Sequence, residues 1–276
     1  MTYGRWATTA RIVLLAATSM VILVPLVLML LTPFKTQLES FSAPLSLPEH
    51  WSFHSFRVAI QTGSILQRGI NSIVITVTAV FAGTSMGALA GYSIARMRAR
   101  ALRGVLLAVF VLGLVLPLQA GMIPLFKEIQ WLGLSESRVG LISIYTAMTL
   151  PGSVIMFANF FREVPIAIEE AAALDGAGAL RLLITIVLPL SRPIVATVVI
   201  FNAVFVWNDY FVALVFTLNP DNQTLPLGLS HFHSPYGVTW PELFAYSTIV
   251  AAPLIVVYIF LQRYIIAGLT AGAVRG

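Results

Sequence analysis

Five stretches of this sequence, 12–32, 69–95, 104–126, 139–161 and 243–262, each run for at least 20 residues without an Asp, Glu, Lys or Arg. A bilayer's hydrocarbon core needs about 20 apolar residues of helix to cross it, so each run is long enough to span. A sixth, 193–218, is interrupted by one acid, Asp209. Only 10% of the 276 residues are charged and 58% are hydrophobic, against about 25% charged in a typical soluble chain. So few charges could not cover a soluble domain of this length. The expected fold is all-α, a polytopic membrane protein with six transmembrane helices. Its domain plan is an N-terminal segment 1–11, a transmembrane domain 12–266 enclosing a loop at 162–192, and a tail 267–276.

The first run is read as a span rather than a cleaved signal peptide. It is longer than a typical signal core, contains Pro25, and has no convincing small-x-small cleavage site close behind it. The absence of cysteine excludes disulfides, thiolate catalysis and thiolate metal sites. A net charge of +5 raises the nucleic-acid reading, but the basic residues lie at helix ends, where they report topology. With N and C termini cytoplasmic, 11 of the 16 Lys and Arg residues fall inside and 5 outside, the asymmetry expected of cytoplasmic loops. "RMRARALR", Arg96–Arg103, is the densest basic cluster. No internal repeat is visible, which argues against an inverted-repeat carrier.

Two exterior segments follow from that orientation. Residues 33–68 contain "APLSLPEHWSFHSF", read as irregular with a short amphipathic helix; 219–242 is rich in turn residues and aromatics. Both contact with an external partner and simple capping of helix ends at the interface remain open for each. Within the second run, Gly83, Gly87 and Gly91 fall four apart on one helix face, where another helix can approach closely. They are expected to pack inside the subunit or against a partner subunit.

Residues 162–192 interrupt the apolar pattern. Pro165 suits a first helical turn, and Glu169 and Glu170 lie early enough to favour the positive end of the helix dipole. Gly176 and Gly178 break the run, and "ALRLLITIVLPL" resumes as a second helix stopped or kinked near Pro189. The spacing predicts helix, tight turn, helix. Ala171, Ala172, Ala173, Ala177 and Ala179 leave little bulk around the turn, while Glu170 and Asp175 supply charge. Such a surface fits a groove; a plain connecting helix is the other reading.

The order Glu170-Ala171-Ala172, then Asp175-Gly176-Ala177, then Ile186, Leu188-Pro189 and Pro193 resembles the EAA loop of ATP-binding-cassette importer permeases. "NSIVIT" at Asn71, "AGYSIARMRAR" at Ala90, "MIPLFKEIQWLGLSES" at Met122, "WNDYF" at Trp207, "TLPLGL" at Thr224 and the tail "GLTAGAVRG" are similar to the carbohydrate branch, and within it to the second, shorter permease of maltose- or glycerol-phosphate-type systems. The resemblance implies a type I importer permease fold in a bacterial or archaeal cell membrane. It implies a homologous permease partner, an ATPase subunit dimer carrying ATP and Mg, an extracytoplasmic solute-binding protein and a carbohydrate substrate. It also implies that Glu169, Glu170, Ala171, Ala172, Asp175, Gly176, Ala177, Leu183 and Pro189 couple to the ATPase. Where the family usually has an aromatic, this chain has Leu183, with less bulk in the docking knob.

The residues themselves carry no ATP chemistry. There is no G-x-x-x-x-G-K-[ST] loop, and the only lysines, Lys35 and Lys127, do not follow a glycine. No segment assembles a Ser-His-Asp set or paired catalytic carboxylates, and no cofactor is expected on this chain. His50 with His54, and His231 with His233, are read as loop histidines, with a zinc site as the weaker alternative. Asp209 is the residue to explain inside the membrane, since a charge there costs at least about 2.5 kcal/mol and faces a bundle interior or a cavity. With Trp207, Asn208 and Tyr210 it makes a candidate translocation-pathway set, suited to stacking and hydrogen-bonding a sugar. The alternative is an Asn–Asp network that locks helices or caps a broken turn. Two rival functions remain: an ion-coupled carrier using Asp209, and a non-transporting scaffold.

Overall fold

In a bilayer no water is available to the backbone, so a spanning segment satisfies its own N–H and C=O groups by coiling into a helix. The computed structural model describes residues 5–174, 176–234 and 237–273, and the apolar runs among them are mainly helical. Asp175 and the chain ends 1–4 and 274–276, within the expected terminal segments, lie outside these residues. Helix α1 (Arg5–Leu31) ends in a 3-10 turn, Thr32–Phe34. Two short helices follow, α2 (Gln37–Ser42) and α3 (His54–Thr62), then the long α4 (Ile65–Ala95). Next come α5 (Arg100–Val115), α6 (Leu118–Trp131), α7 (Arg138–Glu163) and α8 (Ile166–Leu174). Helix α9 (Ala179–Leu190), which contains one π-helical turn at Leu183–Val187, leads to α10 (Arg192–Asn208) and α11 (Phe211–Phe216). A minimal hairpin, β1 (His233–Ser234) and β2 (Gly237–Val238), precedes α12 (Trp240–Ala273).

Among the described residues, Thr9–Phe34, α4, α7 and Trp240–Phe260 are long and apolar enough to span, and two bent helix pairs bring the total to six. The bends depart from the straight runs read in the sequence. Residues 104–126 divide at Leu116 and Pro117, where α5 and α6 meet at 97°. Pro117 has no N–H to donate, and proline pushes the residue before it out of helical geometry; Leu116 accordingly has φ −64° and ψ 125°. Residues 193–218 divide at Asp209, which is extended at φ −68° and ψ 126°. The kink expected near Pro189 falls at Ser191, where α9 meets α10 at 87°. Pro25, Pro124, Pro151 and Pro253, by contrast, sit within continuous helices.

The chain divides into two compact units, 1–66 with 228–253, and 67–227 with 254–276. In the second unit the glycine ladder sets the topology. A Cβ placed on Gly83, Gly87 or Gly91 would run into Thr149, Ser153 or Phe157 respectively, all on α7. Both series climb by four, so α4 and α7 pack in parallel, and the intervening chain must return along their whole length. The bent α5–α6 pair therefore makes one crossing. Helix α10 runs antiparallel to α7: Asp209 meets Tyr145, while Asn202 donates to Ser153 Oγ at 2.9 Å and Thr84 Oγ1 at 3.3 Å. Lipid tails are as apolar as leucine, so close packing and these buried hydrogen bonds, rather than escape from water, hold the helices together. One core cluster joins Ile75, Ala79, Leu141, Tyr145, Val206 and Phe216; another joins Ala88, Phe157, Phe161, Leu183, Val187 and Val198.

At one end of this unit the 219–227 segment is pinned to α4. Asn71, fully buried, donates through Nδ2 to the carbonyls of Asp221 and Gln223, each at 2.8 Å, and Leu225 N–H donates to Ser72 Oγ at 2.7 Å. In the first unit, Gln37 bridges to the hairpin, donating to Val238 O at 2.8 Å and accepting from Trp240 N at 3.0 Å. Phe34, at the end of the first span, packs on Trp51, Phe53 and Phe56 at 5.1–5.3 Å between ring centres.

Candidate functional site

Helix α8 begins just after Pro165 and carries Glu169 and Glu170 near its N-terminal end. Its C-terminus closes with two backbone bonds, Gly176 N–H to Ala173 O at 3.0 Å and Ala177 N–H to Ala172 O at 3.2 Å. That pair of bonds requires a left-handed residue at the turn, and Gly176 supplies it with φ +83°. A side chain there would cost about 1–2 kcal/mol. The chain then enters α9, giving two helices joined by a glycine turn.

The neighbouring acids of α8 have opposite fates. Glu170 is exposed, whereas Glu169 is only 5% exposed and turns back onto α4. Arg96, just past the end of α4, donates from Nε to Glu169 Oε1 at 2.9 Å, and its Nη2 donates to the same oxygen. Tyr92 O–H donates to the other oxygen, Oε2, at 2.7 Å. Arg96 Nη2 also reaches Val164 O at 3.2 Å, at the end of α7, and its guanidinium lies 5.9 Å from the Tyr92 ring centre. Thus one carboxylate ties α8 to α4, and one arginine ties both to α7. Removing either partner of such a buried pair leaves an uncompensated charge, at a cost of about 3–5 kcal/mol.

The other loop residues sort by exposure. Ala171 is exposed; Ala172 and Ala177 are partly covered. Leu183 is buried in the cluster with Phe157 and Phe161, so it supports the loop from beneath, while Pro189 is exposed. Leu174, absent from the sequence-derived set, is 90% exposed at the tip of α8. Arg96 and Tyr92 were also missed as site residues, although they stand in the quoted "AGYSIARMRAR". The available signal was a basic residue at a span end within reach of an acid two spans later.

At the second candidate set, Asp209 occupies the break between α10 and α11. Its Oδ1 accepts from Val212 N–H at 2.9 Å, Ala213 N–H at 3.3 Å and the Tyr145 hydroxyl at 2.8 Å. It therefore caps α11 and links it to α7. Trp207 is buried, Asn208 is exposed and donates to Val204 O at 3.0 Å, and Tyr210 is exposed. The four side chains thus differ in exposure, with Trp207 covered and Asn208 and Tyr210 open. Among the described residues, no three His, Asp or Glu side chains come together in a way that could hold a metal ion.

Comparison with known proteins places this geometry. Residues 83–270 match the family described as the binding-protein-dependent transport system inner membrane component. A putative ABC transporter permease of a Caldicellulosiruptor species is 34% identical over 265 residues, covering 96% of each chain. The permease of a diacetylchitobiose uptake system from Streptomyces coelicolor is 33% identical, over 95% of this chain and 87% of its own. The melibiose/raffinose/stachyose import permease of Bacillus subtilis is also 33% identical, over 92% and 91%. The fold is similar to that of a chain in a bacterial ABC transporter involved in alginate import, with a TM-score of 0.83 at 23% identity over 96% of this chain and 99% of that one. With its matched segment running from the glycine ladder through the α8 loop into α12, the chain belongs to the family of binding-protein-dependent transport system inner membrane components, as a multi-pass permease subunit.

Proposed function

We propose that this permease forms half of the translocation pathway of an ATP-driven importer for a sugar or oligosaccharide, and that α8 carries the stroke of a separate ATPase into the membrane. The observation that carries the coupling reading is the two-sided build of α8. Its outer side offers Glu170, Ala171 and Leu174, while its inner side is fastened through Glu169 to α4 and α7. A force on the outer side would reach two spanning helices through charged hydrogen bonds rather than a slack linker. A second, homologous permease completes the pathway, and an extracytoplasmic binding protein delivers the solute. ATP and Mg belong to the ATPase pair, which sits on the cytoplasmic side with both permease termini. Glu169 acts from within, and Glu170, Asp175 and the small residues around Gly176 enter the ATPase cleft.

The carbohydrate assignment is supported by the relatives, whose names specify diacetylchitobiose, melibiose, raffinose and stachyose, and trehalose or maltose. Within the pathway, Asn208 and Tyr210 are the members of the central set that face outward, and Asp209 fixes the break that presents them. An ion-coupled carrier is not favoured, because the Asp209 oxygen that accepts three hydrogen bonds is already committed to structure.

The test is uptake into proteoliposomes holding the permease with its partner permease, ATPase and binding protein. Wild type should accumulate oligosaccharide only with ATP. Gly176→Pro, which cannot adopt the positive φ of the turn, should lose uptake together with stimulation of the ATPase by loaded binding protein. ATP-independent uptake driven by an ion gradient would overturn the proposal.

A further inference from the structure

We propose that the segment 36–53 lies in the headgroup–acyl boundary of the bilayer at the end of the first span, with Leu38, Phe41, Leu45, Leu47, Trp51 and Phe53 turned toward lipid. The first observation is an inversion of polarity. Lys35, Glu39 and Glu49 are the only Lys, Arg, Asp or Glu residues from 35 to 53, and the first two are spent on the segment itself. Lys35 is 3% exposed, and its ammonium donates to the carbonyls of Ala43 and Pro44, both at 2.8 Å. Glu39 accepts from Thr36 N–H at 2.7 Å and from Glu49 N–H at 3.0 Å. The apolar side chains point the other way: Leu38 is 77% and Leu47 69% exposed, with the other four also outward. Facing water, a segment built in this sense would leave six large apolar side chains uncovered while its one lysine is buried and Glu39 is tied to the backbone. At the headgroup–acyl boundary the apolar side chains meet lipid, while the exposed polar ones, Gln37, Ser46, Glu49 and His50 among them, stay with headgroups and water.

The second observation is position. The first span ends at Phe34, and Thr36 opens α2 with a reciprocal cap to Glu39, so the chain turns at once rather than leaving the membrane surface. Farther along, Trp51 and Phe53 pack on Phe34. Both ends of the segment are thus fastened to the end of the span. Tryptophan and its aromatic neighbours are enriched at this depth of a bilayer, and a segment with apolar side chains on one side and few charges lies flat there. Glu49 is the only exposed charge of the segment, and it belongs at headgroup level.

Because the chain has no cysteine, single-cysteine variants can report the depth directly. Leu38→Cys, Leu47→Cys and Glu49→Cys would each carry a nitroxide in the assembled transporter in liposomes. Their collision rates with oxygen, which partitions into lipid, and with a water-soluble nickel chelate would then be compared. The proposal predicts that oxygen collisions exceed chelate collisions severalfold at positions 38 and 47, with the order reversed at 49. Chelate dominance at all three positions would place the segment in water. Exclusion of both reagents at 38 and 47 would place a protein partner over it. Either result overturns the assignment, and neither bears on the coupling reading of α8.

Discussion

If Asp209 serves as a cap rather than as a charge, then Asp209→Asn should be milder than Asp209→Ala, and its loss of uptake should track its loss of stability. The difference can be worked from the geometry. Alanine strips the acceptor from the N–H groups of Val212 and Ala213 and from the Tyr145 hydroxyl. Loss of a helix cap costs about 1–2 kcal/mol, and a buried hydroxyl left without a partner about 1–3 kcal/mol. Together these put Asp209→Ala at about 2–5 kcal/mol, toward the lower end if bilayer hydrogen bonds are as modest as measured ones. Asparagine keeps an oxygen in the same place and loses only the charge assistance, which roughly doubles the strength of such bonds; about 1–2 kcal/mol follows. Tyr145→Phe, which removes one bond and leaves the cap, should cost about 1 kcal/mol. The assay pairs the initial rate of ATP-driven uptake with the thermal inactivation midpoint of the purified complex. Rate and midpoint should fall together, with Asp209→Ala the worst of the three. An Asp209→Asn transporter that assembles, keeps its midpoint and yet loses uptake would show that the carboxylate's charge, and not its cap, is what transport needs.

Glu169→Gln should uncouple ATP hydrolysis from uptake while the ATPase still associates, and a Glu169→Arg, Arg96→Glu exchange should restore part of the uptake lost in either single variant; measured ATP hydrolysed per solute transported checks both. Gly91→Leu should lower the thermal midpoint, since even a Cβ at Gly91 would lie 2.7 Å from that of Phe157, and overpacking of this kind costs about 1–3 kcal/mol. Hydrogen bonds from Thr36 N–H, then Glu49 N–H and the Thr36 hydroxyl, hold the Glu39 carboxyl below its ordinary value of 4.5. Its contribution is therefore present above that ordinary value and is lost as pH falls through the lower folded one. A nitroxide on Leu47→Cys should accordingly gain mobility only in that acid range.

The spanning helices were legible because an absence of charge over 20 residues leaves a chain few other places to go. The bends were not, because proline alone does not decide them. Pro117 divides a run where Pro25 and Pro151 do not, and the outcome depends on whether neighbouring groups replace the lost backbone bond. Local chemistry marked the α8 turn, since Gly176 and Gly178 interrupt an alanine-rich helix. The opposite fates of Glu169 and Glu170 could not be read in the same way. Adjacent helical residues point about 100° apart, and which one meets Arg96 depends on how α8 docks. Similarly, the sequence offers both a pathway role and a capping role for Asp209, and the three donors on one oxygen, which favour the cap, depend on a backbone break that the sequence does not show.

Contact between α8 and the ATPase can be read from a cross-link at the helix tip. Leu174, 90% exposed, can be replaced by Leu174→Cys in a chain without other cysteines, and paired with single cysteines along the cleft of the ATPase subunit. A disulfide to the ATPase should form in the resting transporter, stop ATP-driven uptake, and release it again on reduction. A Leu174→Cys thiol that stays open to water-soluble reagents throughout turnover, and never joins the ATPase while uptake proceeds normally, would contradict that contact.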